Sequence, residues 1–274
     1  MSKPLFSIIT VTYNSKDGLE KTIKSVKNQS CKDYEYIVID GKSTDRTVDV
    51  IKQYEEDIDY WVSEKDKGIY DAMNKGVKNA TGRLTFFLNA GDTFYDKKVL
   101  EDVKDFYSKN NNPKCVYGGM NYVNPFEGIE YEEIISKEIG VSKIKKGKMI
   151  RHQSLFVDKS VFDEIGNFDL LYGLGGDFEF ECRLFLNEIE CVYFNRVIAN
   201  FYGGGVGSNL FKSYKIKGRI IKDKFGVFYY LGYLFLRGIY ILVVYLFNFW
   251  GLLPFFLKLR SMMFDNSSKK RAES

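Results

Sequence analysis

Histidine is almost missing from this chain: His152 is the only one in 274 residues. A multi-histidine metal site is therefore excluded. Cysteine is also sparse, and Cys31, Cys115, Cys182 and Cys191 are far apart with no C-x-x-C pair. That spacing indicates neither a zinc site nor a disulfide framework, and it suits a reducing compartment. Two glycine signatures are absent as well. The turn after the first apolar run reads TYNSKDG, which is neither the G-x-G-x-x-G of a dinucleotide fold nor a P-loop. Without such a cradle of backbone N–H groups, a bound diphosphate needs its charge neutralised in another way. The net charge of +4 is too small to argue for nucleic acid as a partner. The chain runs directly into a strand, which leaves no room for a signal peptide and places the chemistry on the cytoplasmic side.

What is present reads as globular, with 45% hydrophobic and 28% charged residues. The length suits one large α/β domain, alone or with an extension. Residues 6–13 (FSIITVTY) form a short β-branched run typical of a buried parallel strand. Residues 19–28 have helical spacing in Leu19, Ile23 and Val26. The run 34–40 (YEYIVID) predicts a second strand ending on Asp40, where Ser43 or Thr44 can cap a helix continuing to about Tyr54. Residues 60–63 predict a third strand. Strands alternating with short helices imply a parallel, doubly wound sheet, whose ligands sit beyond the carboxyl ends of its strands.

The organising stretch is SEKDKGIYDAMNKGVKNATGRLTFFLNAGD, residues 63–92. It passes Asp66, crosses a helix from about Ile69 and returns through an apolar strand at 84–88 to Asp92. Two acids are thereby expected at neighbouring strand ends, in a setting that suits a hard divalent cation with oxygen ligands. Each piece also has a plainer reading. Asp40 and Asp66 are good turn residues, Tyr13 could be core, Lys67 a solvated charge, and Asp71 a helix N-terminal acid.

Taken together, ITVTYN, IDGKSTDRT, SEKDKGIYDAMNKG and FLNAGD resemble the GT-A glycosyltransferases of family 2, in particular small bacterial enzymes of O-antigen and capsule assembly. The resemblance covers roughly residues 4–210. It implies a GT-A (Rossmann-like), mostly parallel sheet flanked by helices, with a nucleotide-sugar half over 1–95 and an acceptor half over 96–210. It further implies that Thr12, Tyr13 and Asn14 line a nucleoside pocket, with Ser43 beside them and Asp40 meeting the base. Asp66 and Lys67 would approach the nucleotide and donor, and Asn74 the sugar. Asp92 would hold Mn²⁺ or Mg²⁺ with Asn89 close by, although Asn89-Ala90-Gly91-Asp92 keeps only the last acid of an Asp-x-Asp.

In the second half, His152 within RHQS is either a packed residue or, as the resemblance implies, a group near the diphosphate. Asp177 follows two glycines and is either a helix N-cap or the general base that takes a proton from a sugar hydroxyl. Glu179 is the reserve base, and Arg183 a phosphate ligand or a partner of these acids. The Gln-x-x-Arg-Trp signature of processive synthases is missing, so one sugar per encounter is expected. The glycine-rich run 201–208 reads as a closing loop or a linker.

Residues 211–274 read as a membrane-associating helical tail. From 225 to 257 the only charge is Arg237, and basic clusters flank this segment on both sides. Helices lying in the cytoplasmic leaflet of the bacterial inner membrane fit this pattern best, with a single span as the alternative. The expected partners are a nucleotide-sugar donor, UDP-linked, and a polyprenyl-diphosphate-linked saccharide. The rival reading is a non-catalytic, membrane-docked scaffold with the same fold.

Overall fold

A computed structural model of the chain describes residues 3–124, 129–133, 139–202 and 210–249. The first half alternates strand and helix: β1 (Phe6–Thr12), α1 (Lys16–Lys27), β2 (Tyr34–Asp40), α2 (Thr47–Gln53), β3 (Tyr60–Ser63), α3 (Ile69–Asn79) and β4 (Leu84–Phe87). The second half continues with β5 (Thr93–Phe94), α4 (Val99–Lys109), β6 (Cys115–Asn124), β7 (Ile129–Glu133), the single turn α5 (Val141–Ile144), β8 (Leu155–Asp158) and α6 (Lys159–Ile165). It closes with α7 (Gly176–Leu186), β9 (Cys191–Tyr202), α8 (Leu210–Phe225) and α9 (Val227–Phe249).

The strands form one sheet in the order β3-β2-β1-β4-β8-β6-β9-β5, with β7 paired to β6. β3, β2, β1 and β4 are mutually parallel, as the alternation of elements predicts. Beyond β4 the sheet is mixed: β8 runs antiparallel to β4 and β6, while β6 and β9 are parallel. This order corrects one expectation. β3 and β4, which lead to Asp66 and Asp92, are separated by β2 and β1 and are not neighbours.

The period of two along each central strand explains the three-layer packing. Phe6 and Ile8 of β1, Tyr36 and Val38 of β2, and Leu84 and Phe86 of β4 face Leu19, Ile23, Val50 and Val103 on one side. Ile9, Val11, Ile37, Ile39 and Phe87 face Met73, Val77, Phe162 and Phe180 on the other. A strand covered on both faces is buried at every position, so β1 is a continuous buried run of apolar residues and small hydroxyl residues. A third cluster joins Ile144, Phe178 and Cys182 to Ile220, Ile221 and Tyr233, so α8 and the start of α9 pack on α7.

The predicted capping by Ser43 or Thr44 is replaced by another device. The Asp45 carboxylate accepts from Thr47 N–H at 2.9 Å, and Ser43 and Thr44 bond elsewhere. The glycine-rich run 203–208 and the tail beyond Phe249 lie outside the described residues.

Phe86 stacks on Phe156 at 4.3 Å and on Phe94 at 5.3 Å, holding β4, β8 and β5 in one aromatic layer. Phe86→Ala should cost ~3–5 kcal/mol through lost burial and a residual cavity. Urea unfolding followed by circular dichroism measures this directly.

Candidate active site

Parallel register brings Thr12, Asp40 and Ser63 to one level at the carboxyl edge of the sheet. Asp40 is completely buried there and binds inward. One oxygen accepts from Ser43 N–H at 2.9 Å and from the Ser63 hydroxyl at 2.5 Å, and the other accepts from the Ser43 hydroxyl. Its visible work is to shape the loop after β2. Asn14, in the left-handed region that asparagine tolerates (φ 47°), ties this loop to the one after β1. Its N–H donates to Ser43 Oγ at 2.8 Å and its Oδ1 accepts from Thr44 N–H at 2.7 Å. The Tyr13 ring is left 62% exposed, available for a planar base to stack on, while Thr12 Oγ1 is buried with no partner. Asp66 reaches the same rim, since a Cβ added to Gly41 would meet its carboxylate at 2.8 Å and the Tyr13 ring at 3.4 Å.

The Asp66 carboxyl is raised by burial, against the pull of Lys75 Nζ at 2.6 Å. Lys75 also bridges Glu64 at 2.9 Å, and it is a site residue that sequence reasoning missed. Its spacing of four from Asp71 on one helix face was the available signal. Lys67 is exposed and contributes its backbone N–H to the Asp71 carboxylate. Asn74 points elsewhere: its amide both donates to and accepts from the Phe168 backbone. It fastens the segment before α7.

A second cluster lies beyond β4. Asp92 is 4% exposed, and its Oδ1 accepts from Tyr202 N–H at 3.2 Å. Burial pushes its carboxyl up to about 7, with His152 and Lys21 pulling weakly the other way. His152 sits in a turn of 3-10 helix (His152–Ser154) ahead of β8. Its Nε2 lies 3.2 Å from Asn89 Nδ2 and its Nδ1 lies 3.4 Å from Asp177 Oδ2. With the Asn89 amide donating, the ring proton belongs on Nδ1 and points at Asp177.

Asp177 is in the first turn of α7, but Gly175 is the N-cap residue. Burial favours the neutral acid, and the His152 hydrogen bond, the Lys217 charge and the Phe178 N–H outweigh it, holding the carboxyl below its usual range. Asp177 is therefore ionised at neutral pH. Two glycines permit this placement. A Cβ on Gly175 would run into Ile216 of α8 at 2.3 Å, and one on Gly176 into the Tyr70 ring at 2.8 Å. The Tyr70 hydroxyl lies beside Asp177, and burial followed by that charge raises its pKa well above the ordinary value. One turn along, the fully buried Glu181 accepts from Ile150 N–H at 2.8 Å, has an orphaned second oxygen, and is raised well above the usual carboxyl range by burial and by Asp177.

At α7 Arg183 pairs with one of the acids of this helix, the second of the two alternatives expected for it. Glu179 is 1% exposed and faces away from Asp177, paired with Arg183 at 2.8 Å and Lys224 at 2.6 Å. Its carboxylate bridges α7 to α8 through these two cations. Arg183 is equally committed, donating to the carbonyls of Ile165, Gly166 and Asn167 at the end of α6.

Among the described residues no group of three or more His, Cys, Asp or Glu side chains forms a metal cage. Asp92 and the partnerless, buried Oδ1 of Asn89 nevertheless suit a cation that completes its shell with water and phosphate oxygens, as Mg²⁺ commonly does.

Comparison with known proteins agrees with this geometry. The glycosyl transferase family 2 model matches residues 7–166. An uncharacterized glycosyltransferase of Mycobacterium tuberculosis is 35% identical over 211 residues, 76% of this chain and 79% of its own. A PGL/p-HBAD biosynthesis glycosyltransferase of Mycobacterium bovis is 29% identical over 83% of this chain and 88% of its own. Among solved structures, residues 1–349 of Staphylococcus aureus TarS, in complex with UDP-GlcNAc, superpose with a TM-score of 0.63 at 18% identity, over 80% of this chain and 66% of that one. The chain spans 40% of the longer TarS chain. The mannosyltransferase PcManGT of Pyrobaculum calidifontis, with GDP-Man and Mn²⁺, gives 0.57 at 15% identity, over 82% of this chain and 64% of that one. The fold is GT-A, a mixed sheet flanked by helices with its acids at the strand ends. The chain belongs to glycosyl transferase family 2.

Two predictions test these assignments. A carboxyl raised from 3.8 to about 7 binds its proton more tightly in the folded state, so its ionisation lowers stability as pH rises through 7. Asp92→Asn should therefore stabilise the protein in EDTA at pH 8 by up to ~4 kcal/mol (about 1.4 per unit), with the gain vanishing near pH 4. Thermal unfolding at the two pH values reads this. Glu179→Gln leaves Arg183 and Lys224 without their shared anion and should cost ~3–5 kcal/mol. Its kcat, measured below the melting transition, should stay within about threefold of wild type, whereas a base would lose about 100-fold or more.

Proposed function

We propose that the protein is an inverting, non-processive transferase that moves a sugar from a nucleotide donor, UDP-linked, to a lipid-linked saccharide in surface glycan assembly. The observation that carries this reading is the ionised Asp177, oriented by His152 at the end of the cleft that Asp92 and Asn89 begin. The nucleoside would stack on Tyr13, with Asn14, Ser43 and Asp40 fixing the loops around it. A divalent cation bound at Asp92 would neutralise the departing diphosphate.

The chain's own residues then account for proton handling. As the acceptor oxygen bonds to the anomeric carbon and the bond to the diphosphate oxygen breaks, the hydroxyl proton passes to Asp177. His152 keeps that carboxylate aimed and charged until then, through its Nδ1–H. A single displacement inverts the anomeric centre.

Support for a membrane location comes from α9. Phe228 is 83% exposed and Phe235 69%, and Leu231, Leu234 and Ile239 extend the same uncovered apolar surface. Lys145 and Lys146 border it in a groove of about 300 Å³, with Lys145 Nζ 4.1 Å from the Tyr229 ring. Among the described residues no helix is long and apolar enough to cross a bilayer. An amphipathic docking on the cytoplasmic leaflet of the bacterial inner membrane suits these features.

The test is turnover by the purified full chain against a panel of nucleotide sugars with Mn²⁺, Mg²⁺ or EDTA and a synthetic diphospholipid saccharide. Asp177→Asn should lower kcat by about 10²–10⁴ with little change in the calorimetric Kd for UDP. His152→Ala should move the acid limb of kcat to higher pH, because burial then acts on Asp177 unopposed by that hydrogen bond. If UDP does not bind at all, the transferase reading fails and a non-catalytic scaffold takes its place.

A further inference from the structure

The flank of α9 sets positive charge beside uncovered apolar surface. Residues 143–148 read KIKKGK, four lysines in six positions, and no acid falls between 141 and 150. The turn that follows α5 holds these lysines against α9. Gly147 is in the left-handed region (φ 75°), and a Cβ there would meet the Tyr233 ring at 2.6 Å, so the turn rests its bare backbone on α9. Ile144 and Tyr233 are buried in one cluster with Phe178, the residue after Asp177.

Lys145 Nζ lies 4.1 Å from the centroid of the Tyr229 ring and 5.5 Å from that of Phe225, a cation held by aromatic faces. Lys146 is exposed beside it. Both line the groove with Ser142 of α5 and with Gly232 and Leu236 of α9. Among the described residues neither ammonium comes within ion-pair distance of a carboxylate.

Helical spacing orders this surface. Tyr229, Gly232 and Leu236 form the row of α9 that lines the groove. Phe228, Leu231 and Phe235, each one residue earlier, form the neighbouring row, and all three are exposed. With the apolar row sunk in the acyl region of a leaflet, the lysines beside it stand at the level of the lipid headgroups. An anion at that depth is a phosphate already tied to the membrane. The lining of the groove includes no carboxylate to receive the ammonium of a zwitterionic headgroup, so a headgroup of net negative charge fits it.

We infer that the groove between α5 and α9 seats the headgroup of an anionic phospholipid, with Lys145 and Lys146 on its phosphate and the row of Phe228 in the acyl chains. This rests on the membrane location proposed above and names the lipid that the location selects. Because Ile144 and Tyr233 pack on Phe178, a lipid in this seat also sets the attitude of α7, and with it Asp177, to the leaflet.

The test is flotation of the full chain with vesicles of phosphatidylcholine, alone or with about one third phosphatidylglycerol, at physiological ionic strength. Wild type should bind the anionic vesicles at least tenfold more tightly. Each lysine near an anionic surface contributes about fivefold, so Lys145→Gln with Lys146→Gln should reduce that preference at least tenfold. Lys52→Gln with Lys109→Gln removes the same charge from exposed positions on α2 and α4 and should leave the preference within about twofold. Phe228→Ser with Phe235→Ser should weaken binding to both kinds of vesicle alike. An unchanged melting temperature for each variant shows that its effect is local.

Equal binding of wild type to the two kinds of vesicle would overturn the headgroup seat while leaving membrane docking in place. An equal loss in the Lys52 and Lys109 pair would also overturn it, by assigning the preference to overall charge. Binding to neither vesicle would remove the seat and the membrane location together. UDP affinity, measured by calorimetry on the same samples, reports on the transferase reading separately, and none of these substitutions should change it.

Discussion

A single imidazole spans the cleft, and the geometry of the site depends on it. His152 meets Asn89, which belongs to the turn after β4, and Asp177, which belongs to the first turn of α7. These two groups come from chain segments almost ninety residues apart and have no backbone pairing to fix their separation. Because a neutral imidazole offers one donor and one acceptor, the donation from Asn89 decides which nitrogen is left to face the carboxylate. The Asn89 side of the cleft therefore dictates the proton arrangement at Asp177.

Around that ring, environment sorts chemically similar carboxyls into different tasks. Asp92 is buried with little compensation and drifts towards neutrality, Asp177 is buried with compensation and stays charged, and Glu181 is driven towards the neutral acid. Glu179 is as deeply buried as Glu181, yet two cations hold it. It is the available counter-charge that separates these roles, since residue type and burial are nearly shared.

The central strands and the motifs at their ends were legible in the sequence because strands buried on both faces leave continuous apolar runs with turn chemistry after them. β1, β2 and β3 and the start of α3 fall where the pattern puts them. β9 left no such trace: it is half-buried and pairs with β6 through a shifted register, which breaks the period of two. The order of strands in the sheet was also hidden, so the acids after β3 and β4 read as neighbours when two strands divide them. Residues whose function depends on long-range contact were the least visible. Nothing local in Lys217 announces that α8 will fold back on α7, and nothing in Arg183 shows that it closes the carbonyl end of α6. Asp177, by contrast, stood out in the sequence because its glycines and its helix start are adjacent in the chain.

The contact between Gly176 and the Tyr70 ring has a mechanical side. With no side chain at Gly176, the backbone that carries Asp177 rests on an aromatic face belonging to α3, whose first residues follow directly from Asp66 and Lys67. Rings and peptide planes are stiff, so nothing between the two segments can give. A displacement of the loop ahead of α3 would be passed on to Asp177. On the proposed function, reshaping that loop would thus be registered first in turnover, and only secondarily in how tightly the nucleotide is held.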